Sequence, residues 1–131
     1  MTEPSGDVPP RDLTPTERAA LDFMLAGDDP RLERLREQAR TAKVVWECTC
    51  GCATINVEVD KTSSSPVDFP RRDPISADGV GPNTRPDLCS LVVFVDDGWL
   101  SSLELVWYNE PIPEFPPADQ FEPPGIVLAD A

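Results

Sequence analysis

"CSLVVFVDDGWLSSLELVWY", residues 89–108, decides the fold. Leu91 to Val95 form a run that is apolar at every position, and so on both faces, which predicts a central strand of the sheet. Asp97-Gly98 follows, a dipeptide suited to the two-residue hairpin turn because both of its positions need positive φ. Leu103, Leu105 and Trp107 then alternate with Glu104, so the returning strand is half exposed.

Upstream, "KVVWE" (43–47) is β-branched and aromatic, and "TINVEVD" (54–60) alternates Ile55, Val57 and Val59 with Asn56, Glu58 and Asp60. The two runs predict another hairpin. Val44, Trp46 and the cysteines share one parity and Ile55, Val57 and Val59 the other, so a turn or bulge near Gly51 is expected to shift the register.

Two helices precede these strands. In "LTPTERAALDFMLAG" Thr14 is the N-cap, Pro15 the first helical residue and Glu17 the third, which is a capping box; Gly27 is the stop. "DDPRLERLREQAR" repeats the device with Asp29 and Pro30, and Leu32, Leu35 and Ala39 fall on one face. Its arginines alternate with Glu33 and Glu37, which offset much of their charge along the helix itself.

The predicted architecture is therefore α+β, with two N-terminal helices packed on a small, mainly antiparallel sheet of hairpins. At 131 residues the chain is about one domain long. Residues 1–12, rich in Pro and acids, read as a flexible arm, residues 13–113 as the domain, and residues 114–131 as a Pro-rich acidic tail in which Phe115 and Phe121 are the anchors. Between Lys61 and Leu88, five prolines and two glycines predict mainly loop, with a short edge strand near Ile75.

The charge is lopsided. Lys and Arg number 11 against 24 Asp and Glu, a net charge of −13, and no base follows Arg85. Such a surface disfavours nucleic acid and anionic membranes as partners and favours a basic protein. No signal peptide or apolar run long enough to span a bilayer is visible, so the expected location is cytoplasmic.

Chemistry concentrates in "ECTCGCAT", residues 47–54. Cys48, Cys50 and Cys52 crowd around Gly51 in a chain with one further cysteine, Cys89, and no histidine. Reducing surroundings make these free thiols or metal ligands rather than disulfides. Zinc is the candidate ion, with Cys48, Cys50 and Cys52 as ligands and Cys89 as a fourth if the strand order brings it near. The competing readings are small cysteines filling a tight bend and core, and a reactive thiol, against which the adjacent Glu47 works. Without histidine, a phosphate-cradling Gly-rich loop or an ordered carboxylate pair, the expectation is a protein that is not an enzyme.

Leu35 to Gln38, the Cys50-Gly51-Cys52 turn and the run from Asp97 to Glu104 together make the chain resemble a group of small bacterial proteins of unknown function, common in actinobacteria. The resemblance spans roughly residues 13–113. It departs from the group's Asp-Phe-Pro-Gly between the helices, where this chain has Asp28-Asp29-Pro30. The group implies a fold and no catalytic residues; toxin-neutralising immunity proteins are similar in size and charge only. The expected function is a non-enzymatic acidic interaction module in which Asp96, Asp97, Trp99, Tyr108 and Glu110 meet a basic partner protein. Its alternative is a small structural zinc module.

Overall fold

The computed structural model describes residues 6–68, 75–80, 88–108 and 111–126. Parts of the predicted arm, of the 61–88 loop and of the tail, and Glu110, lie outside the described residues. The rest is an α+β domain: two helices on one face of a seven-stranded antiparallel sheet. The strands are β1 (Asp7–Arg11), β2 (Lys43–Glu47), β3 (Ile55–Glu58), β4 (Ile75–Val80), β5 (Leu88–Asp96), β6 (Trp99–Trp107) and β7 (Gly125–Ile126), in the order β1-β2-β3-β6-β5-β4-β7.

The hairpin of β5 and β6 lies at the centre. Asp96 pairs with Trp99 across a two-residue turn, and both Asp97 (φ 51°) and Gly98 (φ 86°) take the positive φ their sequence foretold. Ser101 is an extra residue, because Val95 pairs with Leu100 while Phe94 pairs with Ser102.

Burial follows the pleat. Val44, Ile55, Val57, Ile75, Ala77, Leu91, Val93, Val95, Leu103 and Leu105 are buried on one face beneath the helices. Asn56, Ser90, Val92, Phe94 and Glu104 on the opposite face stay partly accessible.

Helix α1 (Pro15–Met24) has the predicted capping box: the Thr14 hydroxyl accepts from the Glu17 amide, and the Glu17 carboxylate accepts from the Thr14 amide. Helix α2 (Pro30–Ala39) starts at Asp29, whose side chain accepts from the Arg31 amide. Three arginines of this region are used internally. Arg36 donates to the carbonyls of Leu25 and Gly27, Arg18 donates to Ala39, and Arg31 pairs with Asp29. Both the Leu25 and Ala39 carbonyls stand at helix ends, where intrahelical donors run out; Ala39 also accepts from the Ala42 amide.

Gln38, at the end of α2, is fully buried. Its amide group donates to the carbonyls of Ser65 and Gly98, and its carbonyl accepts from the Leu100 amide, each at 2.9 Å. One side chain thus ties a helix, a loop and the central turn together, and links the Leu35-to-Gln38 and Asp97-to-Glu104 segments directly.

Three expectations need correction. Residues 7–11 are not an arm but an edge strand, pairing with Trp46 and Val44 of β2. Pairing there is supplied by the neighbouring strand, whereas the composition of residues 1–12 registers only their Pro and acid content. The register shift falls at Val45, before the cysteines: Val44 pairs with Val57 and Trp46 with Asn56, so Val44 and Trp46 face opposite sides of the sheet. The tail is also part of the domain. Phe115 and Phe121 are buried as predicted, Phe121 lies 6.3 Å from Phe23 of α1, and β7 extends the sheet beyond β4.

Candidate metal centre

The turn between β2 and β3 is held at both arms. The Cys48 amide donates to the Thr54 carbonyl at 3.1 Å, and the Ala53 amide donates to the Ile112 carbonyl at 2.8 Å. The Thr54 hydroxyl accepts from the Leu105 amide of β6 at 3.0 Å. At the tip Gly51 has φ 96° and open space around it, which lets the chain reverse within the cysteine run.

This bend does what a flat strand cannot. The sulfurs of Cys48, Cys50 and Cys52 all lie within 4.8 Å of one another, with Cys48 and Cys50 at 2.7 Å. The group could hold a metal ion. In a tetrahedral thiolate site with bonds of about 2.3 Å, sulfurs stand about 3.8 Å apart, so seating an ion asks the Cys48–Cys50 pair to open by about 1 Å. Cys50 is exposed and free of crowding at Gly51, so it is the side chain placed to move.

The three thiols are electrostatically unequal. Burial, and then a hydrogen bond with Cys50, push the Cys48 thiol up to about 11. Burial also acts to raise Cys52, but hydrogen bonds from Thr54 and from the two neighbouring thiols outweigh it and hold Cys52 below the ordinary thiol value. Between Cys48 and Cys52, the negative charge therefore settles first on Cys52.

Cys89 does not join them. It is 1% exposed on the helix-facing side of β5, opposite Trp107 and Gly79, with β6 between its strand and β3. The strand order decides this, and no spacing in the sequence encodes it. Burial raises its thiol, as expected of a cysteine that serves the core.

Two hollows flank the turn. One, of about 390 Å³, lies between the turn, the start of α1 and Phe115; Arg11, Glu17 and Glu47 stand on its wall. The Arg11 guanidinium grips Glu17 through two bonds of 2.9 and 3.0 Å and Glu47 through bonds of 3.0 and 2.8 Å. The other hollow, of about 590 Å³, opens on the sheet face that carries no helix, between Trp46, the cysteines, Glu104 and Trp107. Sequence reading missed Arg11, placed in the arm, and Thr54; a Pro-Pro-Arg strand gives no periodic signal, but the threonine two residues beyond Cys52 was a readable hydrogen-bond donor.

The Glu17 pair has a testable pH signature. Burial acts to raise the Glu17 carboxyl, yet the Arg11 and Thr14 hydrogen bonds prevail and hold it below 4.5. A carboxyl lowered by folding contributes stability that is complete above its unfolded value and lost as pH falls through its folded one. The melting temperature should therefore fall as pH drops from about 5 to about 3, and less steeply in Glu17→Gln, whose side-chain carbonyl can still serve the capping box. Equal slopes in the two proteins would show that the pair contributes nothing.

The residues assigned to partner docking do not form one surface. Asp96, Asp97 and Trp99 sit at the turn of the central hairpin, beside a groove of about 570 Å³ shared with Glu58 and Asp60, and Lys61 Nζ lies 5.4 Å from the Trp99 ring centre. Tyr108, 64% exposed, is at the other end of β6, roughly 30 Å away for nine strand residues. Among the described residues no helix is long and apolar enough to cross a membrane.

No family model, curated protein or solved structure matches this chain. Function has to be argued from the site itself.

Proposed function

We propose that this protein is a non-enzymatic metal-binding module of a reducing compartment such as the cytoplasm, in which Cys48, Cys50 and Cys52 hold one thiophilic ion. The observation that carries the reading is the convergence of three sulfurs at a turn braced by β6 through Leu105 and by the following segment through Ile112. Zinc fits with three thiolates and a solvent molecule in the fourth position. The acidic chain adds a field that draws cations to it.

The test uses reduced, chelator-stripped protein without a histidine tag. One zinc per chain should bind, and Cys50→Ser should weaken it by roughly a hundredfold or more. Cys89→Ser should leave the stoichiometry at one. Absence of saturable binding by any thiophilic ion, or zinc binding that survives serine at all three turn positions, would reject the reading.

A second reading, docking of a basic protein in the manner of an immunity protein, is supported by the groove at the hairpin turn. Glu58, Asp60, Asp96 and Asp97 gather there around Trp99, and Lys61 is the single base among the lining residues. A lysine-rich peptide of defined sequence should bind with strong salt dependence, and Glu58→Gln with Asp97→Asn should weaken it. Equal affinity in the double variant would remove this reading.

A further inference from the structure

We propose that the Cys48–Cys50–Cys52 turn takes monovalent copper, bound by three sulfurs, in preference to zinc, and holds it as exchangeable cargo. The inference rests on the metal-binding reading and names its ion.

The donor set comes first. Every converging atom is a sulfur, and among the described residues no carboxylate or fourth thiol joins the group. The chain has no histidine to add. Zinc prefers four ligands and accepts nitrogen and oxygen readily, whereas thiolates select copper in its monovalent state. A soft, singly charged ion with a filled d shell is satisfied by three sulfurs, so the site that is incomplete for zinc is complete for it.

Position in the fold argues in the same direction. A structural ion in a small domain replaces a missing core, yet here a continuous core runs from Leu13 to Phe121 without help from the turn. Neither Cys48, Cys50 nor Cys52 belongs to it. The ion would do little for folding. Cys50 is exposed at the tip beside the open space around Gly51, and the hollow next to Trp46 and Trp107 gives a second approach to the sulfurs. An incoming thiol can therefore reach the ion without unfolding the domain. Trp46 at the hollow gives that side of the site an apolar rim, which suits a weakly hydrated soft cation better than a strongly hydrated divalent one.

Loading is a ligand exchange with no change of oxidation state. Cu(I) enters from a carrier ligand, three copper–sulfur bonds form, and each thiol still protonated gives its proton to the buffer. Unloading reverses this: an incoming thiolate takes one coordination position as a turn sulfur leaves.

The experiment starts from the zinc-loaded full chain under inert gas. Cu(I), supplied as its acetonitrile complex, is added in the presence of a chromogenic zinc indicator. One equivalent should release all of the zinc, and X-ray absorption should report three sulfur neighbours and no lighter ligand. A copper chelator of higher affinity should then remove the ion from folded protein within minutes. Zinc retained against one equivalent of copper would overturn the preference while leaving the metal reading intact; failure of both ions to bind would overturn the metal reading itself. Two or more coppers per chain, or copper that joins two chains, would overturn the three-sulfur site. Copper released only on unfolding would overturn its role as cargo. As a second variant, Cys50→Ser should keep copper on two sulfurs but lose zinc, and loss of both would count against the proposed selectivity.

Discussion

Replacing Gln38 with leucine should lower the free energy of unfolding by about 3 kcal/mol, one of the largest losses expected from a single side chain in this protein. The substitution is close in volume and leaves the helix intact, so packing is not the main cause. What it removes is the acceptor for the Leu100 amide and the donor shared by the Ser65 and Gly98 carbonyls. Gly98 keeps a second partner in the Val67 amide at 2.8 Å, and Ser65 lies near the surface, so their losses are modest. Leu100 is 3% exposed, and its amide would be left without an acceptor in a place water does not reach. Gln38→Glu would keep the acceptor but aim a carboxylate at two carbonyls, so it should be more stable in acid than at neutral pH. Denaturant titration of the variants measures both effects. A loss under about 1 kcal/mol in Gln38→Leu would mean that the loop repacks to satisfy the amide.

Gly98→Ala should cost a comparable amount, about 2 to 4 kcal/mol, for a different reason. Its φ of 86° already disfavours any side chain. A Cβ built there would meet the Val67 carbonyl oxygen at 2.6 Å and the Pro66 Cβ at 2.8 Å, so the loop that closes over the hairpin has to retreat. That retreat would also pull on the Gln38 contacts, because Ser65, Val67 and Gly98 all belong to one clamp. The two substitutions should consequently be non-additive: once Gln38→Leu has loosened the loop, Gly98→Ala should cost less than it does alone. Thermal melts of the two single variants and the double variant test this. Strict additivity would show the turn and the helix end to be independent.

The parts of the fold legible in the sequence were those whose cause is local. Asp97-Gly98 specifies its own backbone conformation, the capping box at Thr14 and Glu17 closes within four residues, and the apolar run of β5 announces a strand in the interior of the sheet. The parts that were not legible depend on neighbours. Val8, Pro9 and Pro10 become strand because β2 presents a free edge, and Val45 bulges because the pairing of β2 with β3 demands it. The candidate site divides along the same line. Crowding of Cys48, Cys50 and Cys52 was visible as spacing and their convergence needed only a turn at Gly51. Cys89 was undecidable, because its distance from them is set by β6 lying between β3 and β5. The residues named for a partner are spread in the same way as the strand that carries them: Trp99 opens β6 and Tyr108 follows its last residue.

Both rims of the sheet are closed to further strands. On the outer side of β2, Pro9 and Pro10 give β1 two positions with no amide hydrogen to offer. On the other side, β4 is occupied by two-residue β7, by a bridge between Gly79 and Phe121, and by the Glu122 amide on the Asp78 carbonyl. Pro123 and Pro124 interrupt that segment as well. A sheet of this width, carrying apolar side chains on its uncovered face, would be prone to stack edge to edge into fibrils if either rim offered a regular ladder of donors and acceptors. Proline at the margins removes donors that edge-to-edge stacking of such a sheet would need.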